Sequence, residues 1–268
     1  MLAEQTRARL RGHKRIVVKI GTTSLTHANG RLNLKRIEKL AWVLTDLHNA
    51  GRDVILVSSG AIAVGADRLG LAERPRDVRG KQAASAVGQA VLMQIYENFF
   101  MNYNQKVAQI LLTKDVFDDP ERRALAGDTF DALLSMGVIP IVNENDTVST
   151  AELGFSENDS LSAYVACLLS ADALLILSDT DGIYDSDPKR NPNAVFVPFA
   201  DGVDDALAAC AGESAGNLGT GGMFTKMAAV RVATEQGIDT VIASGEEPAI
   251  LHDILSGEPR GTLIRGKR

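Results

Sequence analysis

Six short apolar runs rich in β-branched residues recur along the chain, separated by longer segments with helical periodicity. They are RIVVKI (15–20), DVILVSS (53–59), KVAQILL (106–112), VIPIVN (138–143), ALLILSD (173–179) and DTVIAS (239–244). Their hydrophobicity is nearly continuous rather than alternating, as expected of strands covered on both faces, so they predict a parallel sheet. The intervening stretches 34–51, 85–103, 121–137 and 223–237 place apolar residues at helical spacing, and the first and the last two end on Gly51, Gly137 and Gly237, which suit a helix stop. A further helix-like run, 161–169, follows the fourth strand. Strand and helix alternate throughout, which predicts an α/β fold: a single three-layer doubly wound domain with a mainly parallel central sheet.

In such a sheet ligands bind beyond the carboxyl ends of the strands. The residues at those exits are Lys19 to Ser24, Ser58 to Ala61, Thr113 to Asp115, Asn143 to Asp146, Ser178 to Gly182, and Ser244-Gly245. Turn chemistry alone favours Gly, Ser, Asn and Asp after strands. All of them together, with a lysine in the first, predict a long polar cleft.

Lys19 lies inside an otherwise apolar run, where burial is costly without an anion. It reads either as an edge-strand lysine reaching water or as a phosphate ligand, with Gly21 permitting close backbone approach. In VSSGAIAVG (57–65) a strand passes into a helix, either through an ordinary Ser cap or as an anion site built from free amides. GNLGTGGMFTKMAAV (216–230) puts glycines ahead of a helix carrying Lys226. It matches neither GxxxxGK[ST] nor a strand-linked GxGxxG. The acidic run in ILSDTDGIYDSDPKRNP (176–192) lacks EF-hand spacing and suits a nucleotide-binding turn, with magnesium ligation open. Finally, NENDTVSTAELGFSENDS (143–160) brackets a short stretch between two amide and carboxylate clusters. Caps explain the second cluster but not four consecutive polar side chains at a strand exit. Two glycosylation sequons, at Asn145 and Asn158, are discounted because the N-terminus has no secretory signal.

Composition narrows the function. The net charge of −6 and pI near 5.3 argue against nucleic acid or an acidic membrane surface as partner. No apolar run approaches the ~18 residues that span a bilayer, so a cytoplasmic protein is expected. Cys167 and Cys210 form no CxxC, and His13, His27, His48 and His252 are scattered without ligand spacing. No zinc site or serine triad is readable.

Taken together, VVKIGTTSL, VSSGAIAVG, GKQAASAVGQ, QILLT, IPIVNENDTVSTAE, ENDSLSA, LLILSDTDGIY and GTGGMFTKMAA resemble the glutamate 5-kinases of the amino-acid kinase family. They stand in the expected order from about residue 14 to the end. Single motifs are shared with kinases of acetylglutamate, aspartate, carbamate and UMP, whereas NEND, a following END and GTGGM-x-TK together are more specific.

The resemblance implies ATP- and Mg²⁺-dependent phosphorylation of the L-glutamate γ-carboxylate, the first step toward proline. It implies that Lys19, Lys226 and Asp159 are catalytic, with Asp159 positioning the two lysines. Ser59, Gly60, Asn143, Asp146 and Asn158 would bind glutamate. Lys19, Ser178, Asp179, Thr220, Gly221, Gly222, Met223, Phe224, Thr225 and Lys226 would line the ATP site, and no residue is assigned as a direct metal ligand. A homodimer or homotetramer and feedback inhibition by L-proline are further implications, with residues 148–156 as a flap between the clusters.

The expected domain plan is an N-terminal tail (1–13) and a kinase domain (14–268). No PUA domain is expected, although many relatives carry one C-terminally. Two alternatives stay open: an amino-acid kinase with another acceptor, and a non-catalytic amino-acid sensor on the same fold.

Overall fold

The computed structural model describes residues 1–149, 158–188, 190–205, 207–208 and 222–267. The six apolar runs form strands β1 (Arg15–Ile20), β2 (Asp53–Ser58), β3 (Lys106–Leu112), β4 (Val138–Glu144), β5 (Ala173–Ser178) and, after three two-residue strands, β9 (Asp239–Ser244). The short strands are β6 (Ile183–Tyr184), β7 (Phe196–Val197) and β8 (Phe199–Ala200), and β10 (Thr262–Ile264) closes the series. Eight of them make one sheet in the order β3-β4-β2-β1-β5-β9-β10-β8, and β6 pairs with β7 separately. Every pairing from β3 to β9 is parallel, and β9–β10 is antiparallel.

The described helices are α1 (Leu2–Leu10), α2 (Thr22–Leu25), α3 (Leu34–Asn49), α4 (Ala61–Arg68), α5 (Val78–Met101), α6 (Asp115–Asp118), α7 (Pro120–Ser135), α8 (Asn158–Leu168), α9 (Met223–Glu235) and α10 (Ile250–Leu255). None is long and apolar enough to cross a membrane. They cover the sheet on both faces, and the period-2 alternation of each strand decides which residue meets which layer. Ile16, Val18 and Ile20 of β1 enter the core shared with α3, α5 and α10, whereas Val17 enters the core shared with α7, α8 and α9. By the same parity Lys19 points toward α8 and α9. Leu56 and Ile141 fall on the α5 side, which carries Ser58 and Asn143, the next residues of like parity, toward α5.

Two boundaries depart from the sequence expectations. Helix α5 starts at Val78 rather than 85, capped by Asp77, whose Oδ1 accepts the Gly80 amide at 2.8 Å. Its first turns, VRGKQAA, carry no apolar stripe and so gave no periodic signal. The expected N-terminal tail is instead mostly helix α1, with Leu10 fully buried. The Arg7 guanidinium donates to the carbonyls of Pro198, Glu258, Arg260 and Gly261 at 2.8–3.2 Å. Charged side chains, with Leu10 as an apolar anchor in the core, attach the helix, which is why hydropathy did not reveal it.

Helices α4 and α5 touch through backbone. A Cβ on Gly65 would come within 1.7 Å of the Ala84 carbonyl oxygen, and one on Gly88 within 1.8 Å of that of Ala61. No side chain fits there, so the two helices sit at a fixed mutual distance.

Candidate active site

The carboxyl ends of β1, β2, β4 and β5 open into one polar region, completed by the N-terminal turns of α8 and α9. At its centre Asp159, fully buried in the first turn of α8, faces two lysines. Its Oδ1 lies 2.6 Å from Lys19 Nζ, and its Oδ2 lies 3.3 Å from Lys226 Nζ. Lys19 and Lys226 are only 5% and 6% exposed. Strand β1 lies between β2 and β5, so the edge-strand reading of Lys19 is excluded. Two ammonium groups around one carboxylate give the trio a formal excess of positive charge. Such a cluster, costly to bury, suits a site that receives an anion.

On the β2–β4 side lies a network of amides. The Asn158 amide donates to Ser59 Oγ at 2.9 Å and to Asn143 Oδ1 at 2.8 Å, with the Ser58 carbonyl at 3.3 Å. Asn143 in turn donates to Gln89 Oε1 at 2.9 Å, and its Oδ1 also accepts the Glu144 amide. Asn158 Oδ1 is buried and has no hydrogen-bond partner among the described residues, leaving an acceptor that calls for a donor. Asp146 accepts from Ser85 Oγ at 2.6 Å. Burial pushes the Asp146 carboxyl above the ordinary carboxylate value, with the Ser85 hydrogen bond pulling the other way. Gly60 sits at φ +114°, a backbone conformation that excludes most side chains, where β2 turns into α4.

On the β5 side, Ser178 is buried and donates to the exposed Asp179 at 3.1 Å. Gly222 caps α9, and a Cβ there would meet nothing within 4 Å, so its bare backbone faces open space. Thr225 Oγ1 donates back to the Gly222 carbonyl at 2.9 Å. Met223 packs on the core, whereas Phe224 is 64% exposed. Thr220 and Gly221, the rest of the glycine-rich stretch before them, and most of the expected 148–156 flap lie outside the described residues, as does Cys210.

The remaining motifs resolve into structure. Among the described residues no group of three or more His, Cys, Asp or Glu side chains is placed to hold a metal ion. Asp181 accepts the Tyr184 hydroxyl, and Asp185 accepts the Val195 amide, so the acidic run braces its own turn. The Cys167 thiol is pushed up to about 11 by burial, the state of an inert packed thiol. Asn158 spends its amide on the network, which removes the chemistry of its sequon.

Sequence reasoning missed Gln89, Ser85 and Tyr96. Each lies on the buried stripe of α5, and Tyr96 hydrogen-bonds Ser58 Oγ at 2.8 Å. The available signal was polar residues at i and i+4 on an otherwise apolar helix face.

The model of the amino acid kinase family matches residues 14–244. The chain belongs to the amino acid kinase family. Within this family it is 50% identical over 266 residues to a glutamate 5-kinase of Clostridium perfringens, covering 98% of this chain and 99% of that protein. It is 51% identical over 258 residues to one from Symbiobacterium thermophilum, covering 96% and 98%. The amino acid kinase fold is also shared with UMP kinase from Bacillus anthracis, at TM-score 0.64 and 20% identity over 96% of this chain and 97% of that one. An isopentenyl phosphate kinase from T. acidophilum aligns at TM-score 0.60 and 18% identity, over 94% and 100%.

Proposed function

We propose that this chain transfers the γ-phosphoryl group of ATP to the γ-carboxylate of L-glutamate. The products would be L-glutamyl 5-phosphate and ADP, at the entry to proline biosynthesis. The observation that carries the proposal is the buried Lys19–Asp159–Lys226 cluster, placed between the amide network and the exit of β5. High identity to glutamate 5-kinases over nearly the whole chain supports the choice of acceptor.

The chemistry suits the geometry. A glutamate side chain has a pKa of about 4.3, so the nucleophile is already ionised at neutral pH and needs no general base. The obstacle is bringing one anion onto another: two unit charges 4 Å apart repel by about 4 kcal/mol at an effective dielectric near 20. Lys19 and Lys226 offset that repulsion as the carboxylate oxygen bonds to the γ-phosphorus and the bond to the β-phosphate bridge oxygen breaks. Asp159 holds the two ammonium groups apart on its separate oxygens, so neither has to reorganise during transfer.

The β2–β4 side takes the amino acid. Asp146 accepts from the α-ammonium, and Asn143, Asn158, Ser59 and the Gly60 turn surround the α-carboxylate. The β5 side takes the nucleotide, with Ser178 and Asp179 near the exit of β5. Gly222 to Lys226 present free amides, a helix N-terminus and a cation to its phosphates; Thr220 and Gly221 belong to the same proposed stretch. Magnesium would come with the nucleotide as part of the substrate and would supply further positive charge to its phosphates. The cytoplasm, a dimeric or tetrameric assembly, and inhibition by L-proline belong to the same proposal.

A hydroxylamine trap tests the reaction. ATP, Mg²⁺ and L-glutamate are expected to give γ-glutamyl hydroxamate, with and without proline in the panel. Hydroxamate from aspartate or acetylglutamate but not from glutamate would overturn the acceptor. Glutamate binding without ATP turnover would make the protein a sensor.

A further inference from the structure

Helix α5 lies outside the trio of charged residues, yet three of its side chains reach the segment that leaves β4. Gln82 donates to the Ser149 carbonyl at 3.1 Å, Ser85 to Asp146 at 2.6 Å, and Gln89 accepts from Asn143 at 2.9 Å. The positions i, i+3 and i+7 fall on one helix face, and they meet residues 149, 146 and 143 in reverse order. Helix and strand exit are therefore laced antiparallel.

Ser85 and Gln89 are 3% and 7% exposed, unusual for polar side chains on a buried helix face. They hydrogen-bond two side chains of the amide and carboxylate network, Asp146 and Asn143. Because α5 meets α4 backbone to backbone at Gly65 and Gly88, the two side chains project from a helix packed close against the one that follows the Gly60 turn.

We propose that Ser85 and Gln89 are positioning residues for the amino-acid substrate, Ser85 aiming the Asp146 carboxylate and Gln89 setting the orientation of the Asn143–Asn158 amide pair. Gln89 Oε1 takes the Asn143 amide, which turns Asn143 Oδ1 toward Asn158. That oxygen holds the Asn158 amide, and Asn158 Oδ1 is thereby left as the open acceptor. Gln89 thus acts with the Glu144 amide, which donates to Asn143 Oδ1, and the Ser58 carbonyl, which accepts from Asn158, in fixing which atom of Asn158 awaits a donor. Ser85 does the same for Asp146, whose remaining lone pairs are directed by a short hydroxyl bond. This rests on the glutamate-kinase reading above, and deepens its amino-acid subsite.

The test is steady-state kinetics on the full chain, with hydroxamate as readout and glutamate and MgATP varied separately. Loss of a hydrogen bond to a charged group corresponds to about tenfold or more in binding. Ser85→Ala is expected to raise the glutamate KM by about that factor, with little change in kcat or in the KM for ATP. Ser85→Thr, which keeps the hydroxyl, is expected to recover most of the loss. The Ser85 bond also counteracts the burial of Asp146, the two influences that set its carboxyl, while Glu144 beside it accepts from Ser149 instead. The acid limb of kcat/KM for glutamate should therefore move to higher pH in Ser85→Ala, a shift that mere loosening of the helix would not produce. Gln89→Met, near in volume and lacking the acceptor, is expected to raise the glutamate KM as well.

An unchanged glutamate KM in both Ser85→Ala and Gln89→Met, in a wild-type background that makes the hydroxamate, overturns the proposal alone. Equal loss in the two substrates' KM values, with no rescue by threonine, also overturns it in favour of a structural role. A wild-type chain that makes no glutamyl hydroxamate overturns the reading of the site, and the positioning roles fall with it.

Discussion

Two carboxylates in this protein have the same inventory and opposite uses. Asp159 and Asp239 are both fully buried, and each faces two basic side chains. Asp239 opens β9 at the amino ends of the parallel strands. It accepts from Arg9 at 2.9 and 3.0 Å and from the Gly266 amide at 2.9 Å, and its Oδ2 lies 3.1 Å from His13 Nε2. Asp159 sits at the carboxyl ends, and its oxygens make close ion pairs without an aligned hydrogen bond. A fan of directed bonds immobilises a carboxylate and fastens α1 and the C-terminal segment to the sheet. Two ammonium groups, one on each oxygen, hold Asp159 by charge rather than by a fan of directed bonds. Position in the sheet and the kind of cation, rather than burial or charge, separate a fastening from a candidate catalytic group.

That contrast is sharpest in its response to mutation. Lys226→Ala is expected to lower kcat by about 10²–10³-fold, the usual cost of one transition-state donor, while glutamate affinity measured by calorimetry changes far less. A variant with wild-type kcat would remove Lys226 from phosphoryl transfer. Asp239→Asn should do the reverse. Breaking a buried pair costs about 3 kcal/mol of folding stability, seen as a lower denaturant midpoint, with kcat per folded molecule retained. Loss of turnover without loss of stability would erase the distinction between the two carboxylates.

Asp146→Ala is expected to act mainly on binding, raising the glutamate KM about tenfold or more. An unchanged KM would take Asp146 out of the ammonium role. The smallest effect concerns acid. Burial alone would raise the Asp239 carboxyl, but its His13 and Gly266 hydrogen bonds and the charges of Arg9 and His13 outweigh it and hold it below the ordinary 3.8. A carboxylate lowered on folding contributes stability that is complete above its unfolded value and disappears as pH falls through the folded one. The stability gap between wild type and Asp239→Asn should therefore narrow below about pH 4; a gap that widens there would contradict the assignment. Asp146, shifted the other way by burial, disfavours the folded state when ionised, and that penalty lessens as pH drops.

Much of this was legible in the residues, unevenly. Five of the six apolar runs mark inner strands, because continuous β-branched hydrophobicity suits few environments other than a sheet covered on both faces, whereas the remaining one, β3, lies at the sheet edge and is only partly buried. Lys19 stood out as a lysine inside such a run, yet its run alone left an edge position open; only the strand order excludes it. The role of Asp159 between Lys19 and Lys226 came from family resemblance, not spacing. Helix α1 escaped notice because Arg7 attaches it through carbonyl contacts, and hydropathy carries no trace of these. Ser85 and Gln89 escaped because a polar residue on a helix face looks solvated until its neighbours are known.

The sequence by itself determined the layers, the strand-by-strand alternation and the polar strand exits, since these follow from local periodicity and turn chemistry. Tertiary structure decided which exits adjoin, which carboxylate meets which cations, and which face of α5 touches the amino-acid side. Those outcomes depend on strand order and helix contact, which bring together residues far apart in the chain, and no local pattern encodes such proximity.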